Sequence, residues 1–295
     1  MSALETAPLT RTAQDPLVDV EFAREHLDDP KVRFIEVDVD TSAYDTGHLP
    51  GAFAFNWTTQ LTDPVKRDLV SREELEALLR SAGIDADTLI VLYGDNNNWF
   101  AAWAYWQLRY HGIDNVRLLD GGRKRVEAAG LPLTTDAPSQ PSGTIQVKGS
   151  PHEELRAYRD QVLGGIRQDG KALVDVRSPE EFKGELAAPA HLPQEAAQRK
   201  GHIPGAANVP WSSAVAEDGT FKSAAELAEL YSAKGLTPEK EIVAYCRIGE
   251  RSSHTWFVLH ELLGFQRVRN YDGSWTEYGS LVGVPIEKAV PALVS

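Results

Sequence analysis

The sequence predicts an α/β fold built twice in tandem, each unit a mostly parallel sheet flanked by helices. Three observations predict it. Short apolar runs alternate with amphipathic stretches, the rhythm of buried strands and their covering helices. Landmarks of the first half return, in order, in the second half. A segment rich in Thr, Pro, Ser, Gly and Gln, Thr134 to Ser150, separates the halves and holds few helix or strand formers.

The repeat is explicit. Gly47-His48-Leu49-Pro50-Gly51-Ala52 recurs 154 residues on as Gly201-His202-Ile203-Pro204-Gly205-Ala206, and Asn56-Trp57 is answered by Pro210-Trp211. Leu89-Ile90-Val91-Leu92-Tyr93 returns after 152 residues as Glu241-Ile242-Val243-Ala244-Tyr245, and Leu119-Asp120-Gly121-Gly122 as Tyr271-Asp272-Gly273-Ser274. Four landmarks in one order mark a duplicated domain. The expected division is 1–136, a linker 137–150, and 151–295.

In the first half, Val32 to Val39 and Thr88 to Tyr93 read as buried parallel strands. Ser71-Arg72-Glu73-Glu74 before Leu75, Leu78 and Leu79 is a capping box opening an amphipathic helix. Asn98 to Tyr110 is a helix ended by Gly112. In the second half, Ala172 to Val176 and Glu241 to Tyr245 are strands, Ser223 to Tyr231 repeats the capped helix, and Ser252 to Leu263 is a helix ended by Gly264.

Composition narrows the function. The 295 residues are 42% hydrophobic and 25% charged, so the chain can fill a core. A net charge of -13 with no long basic run excludes wrapping nucleic acid or lying on an anionic membrane. The longest apolar run, Trp99 to Tyr105, falls far short of the ~20 residues a bilayer span needs. The N-terminus shows no basic segment leading into an apolar core, so the cytosol is the expected compartment. A single cysteine, Cys246, excludes an internal disulfide and argues against a cysteine-based metal site; no metal or cofactor is expected.

Cys246 ends a predicted strand and opens the turn Cys246-Arg247-Ile248-Gly249-Glu250-Arg251-Ser252 before a helix. Functional groups gather at such carboxyl ends in parallel sheets. Helix-start amides, Arg247 and Arg251 favour the ionised thiol and Glu250 opposes it, so the expectation is a lowered thiol pKa. A cysteine serving as core filler would sit inside the apolar strand instead.

This turn resembles the active-site loop of rhodaneses, the thiosulfate sulfurtransferases. The likeness covers nearly the whole chain, including both Gly-His-x-Pro-Gly-Ala segments and Tyr271-Asp272-Gly273-Ser274-Trp275, and is closest to the two-domain enzymes of actinobacterial type. The resemblance implies two packed rhodanese-like domains, of which the second is catalytic through a cysteine persulfide. It implies Cys246 as nucleophile; Arg247, Gly249 and Arg251 in the loop that binds the donor's sulfonate; and Arg177 opposite that loop. The partners it implies are a small anionic sulfur donor, thiosulfate, and a thiophilic acceptor such as cyanide or a thiol. Glu250-Arg251-Ser252 departs from the animal enzymes, which carry an apolar residue and a threonine there.

The first copy lacks this equipment. Gly94 stands at the Cys246 position, and counting Val37-Asp38 against Val174-Asp175 puts Asp40 at the Arg177 position. On that count the second copy carries 17 extra residues before His202, around Ala187 to Lys200, which could shape a wall of the cleft or be a surface loop.

Other residues read as structural. His48 and His202 recur in both copies before Pro-Gly. His254 and His260 give no paired metal face. Trp99, Trp103 and Trp106 have helical spacing and read as core. Trp275 reads equally as core or as packing beside the loop, and Asp175 as orienting the backbone or Arg177.

The expected chemistry is attack of Cys246 on the outer sulfur of thiosulfate, loss of sulfite, and transfer from the persulfide in a ping-pong sequence. A 3-mercaptopyruvate sulfurtransferase is the nearest alternative; such enzymes carry Gly-Ser-Gly after the cysteine, where this chain has Arg247, Ile248 and Gly249. A cysteine phosphatase places five residues between Cys and Arg, but only four separate Cys246 from Arg251. A non-enzymatic sulfur carrier and a papain-like protease are weaker readings.

Overall fold

The computed structural model describes residues 15–139, 141–188 and 197–288. Among them, eleven strands form two parallel sheets and one short antiparallel ribbon. The first half supplies β1 (Leu17–Val18), β2 (Val32–Asp38), β3 (Phe53–Asn56), β4 (Thr62–Asp63), β5 (Asp68–Leu69), β6 (Leu89–Tyr93) and β7 (Val116–Leu119). The second supplies β8 (Lys171–Asp175), β9 (Ala207–Asn208), β10 (Glu241–Tyr245) and β11 (Val268–Asn270). Their orders are β1-β7-β6-β2-β3 and β11-β10-β8-β9, with β4 and β5 pairing as the ribbon. The second order repeats the first, and the lone bridge Arg156 to Asn270 stands where β1 pairs with β7.

Burial explains the strand composition. All seven residues of β2 are buried, because the strand has neighbours on both sides and helices on both faces. Both capping boxes form: Ser71 with Glu74 opens the helix Arg72–Ser81, and Ser223 with Glu226 opens Ala224–Ser232. The helix Asp95–Tyr110 begins with Asn96, Asn97 and Asn98 at φ of 45, 55 and 67° and winds regularly only after them. Its counterpart runs as an α-helix over Glu250–Trp256 and continues through Phe257–Leu262 with wider π turns. Gly112 and Gly264 take left-handed φ just past the two ends.

The two helices pack on each other, and one apolar core spans both halves. Tyr105 meets Phe257 edge-on at 4.8 Å and Trp99 meets Trp211 at 4.8 Å. Trp106 Nε1 donates to the Leu155 carbonyl, and the Phe221 amide donates to Asp120. Trp103 and Trp106 are buried and Trp99 partly so, as helical spacing predicts.

The sheet corrects one alignment. Glu36 pairs with Tyr93 as Asp175 pairs with Tyr245, and with Ala54 as Asp175 pairs with Asn208. Glu36 is therefore the counterpart of Asp175, and Asp38, not Asp40, stands in the place of Arg177. Counting along the sequence misses this because two Val-Asp pairs lie in different registers of their strands. The separation between copies is 139 residues at Glu36 and 154 at Gly47, so the second copy's insertion is 15 residues, not 17. Within Ala187 to Lys200, residues 189–196 lie outside the described residues. At the described end, the Arg199 amide and Nε both donate to the Gly279 carbonyl.

His48 and His202 serve the turns they open. The His48 ring stacks on Tyr44 at 3.6 Å and bonds the Tyr44 and Asp136 carbonyls. The His202 ring stacks on Phe182 at 3.6 Å and bonds the Phe182 carbonyl. Tyr93 and Tyr245, the last residues of β6 and β10, each accept an amide from the following residue of the turn, Leu49 and Ile203.

Candidate active site

Strand β10 lies between β8 and β11 and is buried over its last four residues, so its exit is fixed from both sides. That exit delivers Cys246, which is fully buried. The loop is clamped by the start of the helix Ser274–Tyr278. The Cys246 amide donates to Ser274 Oγ at 3.0 Å, the Cys246 carbonyl accepts the Trp275 amide at 3.0 Å, and the Arg247 carbonyl accepts the Thr276 amide at 3.0 Å. Trp275 is fully buried against the loop, and its Nε1 donates to the Arg199 carbonyl.

Among the described residues, three polar groups bond or approach the sulfur. The Gly249 amide donates to Sγ at 3.1 Å, the Ser252 hydroxyl lies 3.7 Å away, and Sγ donates to Glu250 Oε2 at 3.3 Å. Ser252 also reaches Asn270 Oδ1 at 2.6 Å, which fixes its hydroxyl beneath the loop. Gly249 holds φ at 105°, and a Cβ there would lie 2.5 Å from Trp103 Cζ3 and 2.8 Å from Asp272 Cα. No other residue fits this turn without moving the backbone.

Here the thiol expectation is overturned. Burial pushes the Cys246 thiol up, and Glu250 adds to the rise; Arg251, the Gly249 amide and Ser252 oppose both without prevailing. Charge counting along the sequence treats Arg251 as free to act on the sulfur. In the fold its Nη1 and Nη2 grip Glu181 at 3.0 and 3.3 Å, and its Nε lies 3.5 Å from Glu250. Glu181 is itself buried, which would raise its pKa, yet the Arg251 pair outweighs burial and holds it low.

Arg177 is equally engaged. Its Nε and Nη2 bind Asp175, at 3.0 and 2.6 Å, and Nη2 also donates to the Gly201 carbonyl at 2.7 Å. Its guanidinium stands 4.6 Å over the Trp275 ring, while its buried Nη1 has no hydrogen-bond partner among the described residues. Asp175 thus orients Arg177 and also accepts its amide at 3.0 Å. Arg247 is buried in the loop. The structure gathers Cys246, Arg247, Gly249 and Arg251 in one turn and sets Arg177 behind it, against Trp275.

A cavity of about 380 Å³ opens between the halves beside the loop. Ile248 and Asp272 line it from the second half, and Trp57, Asp63, Arg67 and Trp103 from the first. Trp103 is therefore both core and wall. Across its rim, Arg156 Nη2 bridges Asp68 at 2.6 Å and Asp272 at 2.8 Å, tying the ribbon of the first half to the chain behind Gly249. The sequence gives Trp57 only as a repeat landmark and Ser252 only as a member of the turn, and it singles out neither Arg67 nor Asn270. Their roles depend on which surfaces meet, although Ser274 for Gly122 was a readable difference between the copies.

The first copy shows what a closed version looks like. Gly94 stands at the Cys246 position, and its amide is held by Asn98 Oδ1 at 3.0 Å. Asn98, the counterpart of Glu250, also donates to the Leu119 carbonyl at 2.7 Å. Gly122 and Ser274 are counterparts with φ of 55 and 50°. Among the described residues no cluster could hold a metal ion, and no helix is long and apolar enough to cross a membrane.

Comparison with known proteins agrees with this geometry. The rhodanese-like domain model matches residues 19–129 and 159–281. A Mycobacterium tuberculosis protein named "Putative thiosulfate sulfurtransferase" is 59% identical over 273 residues, covering 92% of this chain and 98% of the relative. A Thermus thermophilus protein named "Sulfur carrier protein TtuD" is 56% identical over 275 residues, covering 92% and 96%. Among solved structures, YnjE superposes with a TM-score of 0.81 at 28% identity, covering 92% of this chain and 68% of that one. Wild-type EanB superposes with a TM-score of 0.80 at 28% identity, covering 94% and 70%.

Proposed function

The chain belongs to the rhodanese-like family of sulfurtransferases, and we propose that it moves the outer sulfur of thiosulfate to a thiophilic acceptor in the cytosol. The observation that carries this reading is the chain's only thiol, cradled by the Gly249 amide at 3.1 Å in a loop whose Ile248 lines the cavity between the two halves. In the first half-reaction the sulfur of Cys246 bonds to the outer sulfur of thiosulfate. The donor's S–S bond breaks, and its electron pair leaves on sulfite. In the second, cyanide or a thiol attacks the outer sulfur of the persulfide and Cys246 leaves as the thiolate.

Sulfite is a stable anion and needs no general acid. The site must hold a dianion near the sulfur. Arg247 and the loop amides from Gly249 onward are proposed to meet the sulfonate. Arg251 and Arg177 are proposed to act from behind the loop, because both commit donors to carboxylates. Arg251 held by Glu181, with Glu250 beside the sulfur, also speaks against a phosphate ester as substrate. Arg247 directly after the nucleophile favours thiosulfate over 3-mercaptopyruvate. The test is steady-state kinetics with thiosulfate and cyanide varied together. Parallel double-reciprocal lines are expected; intersecting lines would remove the persulfide from the turnover path.

The name of the Thermus relative favours a second reading, in which the persulfide passes to a protein acceptor. It shares the first half-reaction and differs in slow turnover with cyanide.

A further inference from the structure

We propose that Glu250 is the proton acceptor of Cys246; the proposal rests on the sulfur-transfer reading of the same cysteine. Sγ donates to Glu250 Oε2 at 3.3 Å, and both side chains are buried, so the thiol proton already points at a carboxylate rather than at water. Among the described residues no other carboxylate or imidazole bonds Sγ. His254 lies on the same helix, but its ring packs against Phe221 at 4.7 Å and Trp211 at 5.3 Å, and burial holds it neutral, down to about 3.

The duplication supplies a second observation. Asn98 occupies the Glu250 position in the copy that has no thiol, where it serves only as a hydrogen-bonding plug for Gly94 and Leu119. At this position a carboxylate accompanies the cysteine, and an amide stands where the cysteine is missing.

The charge balance explains why a carboxylate is tolerated beside an anionic reaction. As Sγ bonds to the donor's outer sulfur, its proton passes to Glu250, and the S–S electron pair leaves on sulfite. The pair begins as thiol and carboxylate and ends as persulfide anion and carboxylic acid, one negative charge in both states. When the acceptor removes the outer sulfur, Cys246 leaves as thiolate and takes the proton back. No oxidant or reductant is needed. Arg251 faces Glu250 at 3.5 Å on its own helix, with Glu181 neutralising that arginine. Arg247 lies in the same loop, Asp272 and its partner Arg156 lie behind Gly249, and Asp63, Arg67 and Asp68 line the cavity from the first half.

The experiment is the pH dependence of persulfide formation, read by intact mass after rapid mixing with thiosulfate. In the wild type the rate should be nearly level between about pH 6 and 8, because the proton stays within the pair. In Glu250→Gln it should climb about tenfold per pH unit, since hydroxide must then remove the proton. Glu250→Asp should restore a level profile at a lower rate. Parallel profiles for wild type and Glu250→Gln would overturn the proposal. Ultraviolet thiolate absorbance, which reads a single thiol here, is measured without donor. It should show Cys246 ionising at lower pH in Glu250→Gln, and an unmoved titration would also overturn it. If the wild type takes no sulfur from thiosulfate, the donor assignment falls on its own. Alkylation of Cys246 by iodoacetamide then gives the same contrast, level in the wild type and hydroxide-dependent in Glu250→Gln, and its absence overturns the proposal.

Discussion

Arg123 in the first copy grips the same two groups that Arg177 grips in the second, although the two arginines arise from different elements. Arg123, on the helix Gly122–Ala128, binds Glu36 at 2.5 Å and the Gly47 carbonyl at 2.7 Å. Arg177, just past β8, binds the counterparts of both, Asp175 at 2.6 Å and the Gly201 carbonyl at 2.7 Å. A cation thus joins the strand exit to the Gly-His-x-Pro-Gly turn in both copies. We therefore expect Arg177→Ala and Arg123→Ala to destabilise alike, by about 3 to 5 kcal/mol, because each leaves a buried carboxylate unpaired. Denaturant unfolding of the two variants checks this. An Arg177→Ala protein of wild-type stability whose thiosulfate KM rises would instead make Arg177 a donor contact.

Asp38 occupies the Arg177 position of the first copy and is buried, with no ion-pair partner among the described residues. Burial, and then Asp95, push its carboxyl up to about 9. Its folded pKa lies above its unfolded one, so its contribution is fully present below the unfolded pKa and is lost as pH rises from about 4 through about 9. The slope is at most about 1.4 kcal/mol per pH unit. Asp38→Asn should raise Tm at pH 8 and leave it unchanged at pH 4. An equal change at both would assign the effect to packing.

Gly94→Cys should not build a second active site. A Cβ at Gly94 would lie 2.3 Å from the Val37 carbonyl oxygen and 2.7 Å from Asp38 Oδ1, and no room exists without moving β2. The Gly94→Cys, Cys246→Ser double variant should show no sulfur transfer from thiosulfate and a lower Tm. Measurable turnover would show that the first copy's loop can open.

Donor choice should follow Arg247. The wild type is expected to have a higher kcat/KM for thiosulfate than for 3-mercaptopyruvate, since a cationic residue directly after the nucleophile suits a compact dianion. Arg247→Gly should narrow or reverse the ratio, the lost charged contact costing about 1.5 to 3 kcal/mol, roughly ten- to a hundredfold. A ratio that stays unmoved would place selectivity elsewhere in the cleft.

The repeat, the strands and the placement of Cys246 at a strand exit were legible because periodicity and duplicated turns are local properties. The thiol's raised pKa was not, because it depends first on how completely the fold buries Cys246 and then on Glu250 beside the sulfur, while Arg251 is held by Glu181, 70 residues away in sequence. The same holds for Trp103, which reads as core until the two halves close on the cavity. The equivalence of Asp38 and Arg177 needed strand register, which two similar Val-Asp pairs disguise.

The most direct test is intact mass of the purified protein before and after thiosulfate, with fragment mapping, in wild type and Cys246→Ser. We expect a gain of one sulfur atom on Cys246, its removal by cyanide, and neither gain nor turnover in a folded Cys246→Ser protein. Sulfur transfer near the wild-type rate in Cys246→Ser, or turnover with no sulfur on Cys246, would contradict this expectation.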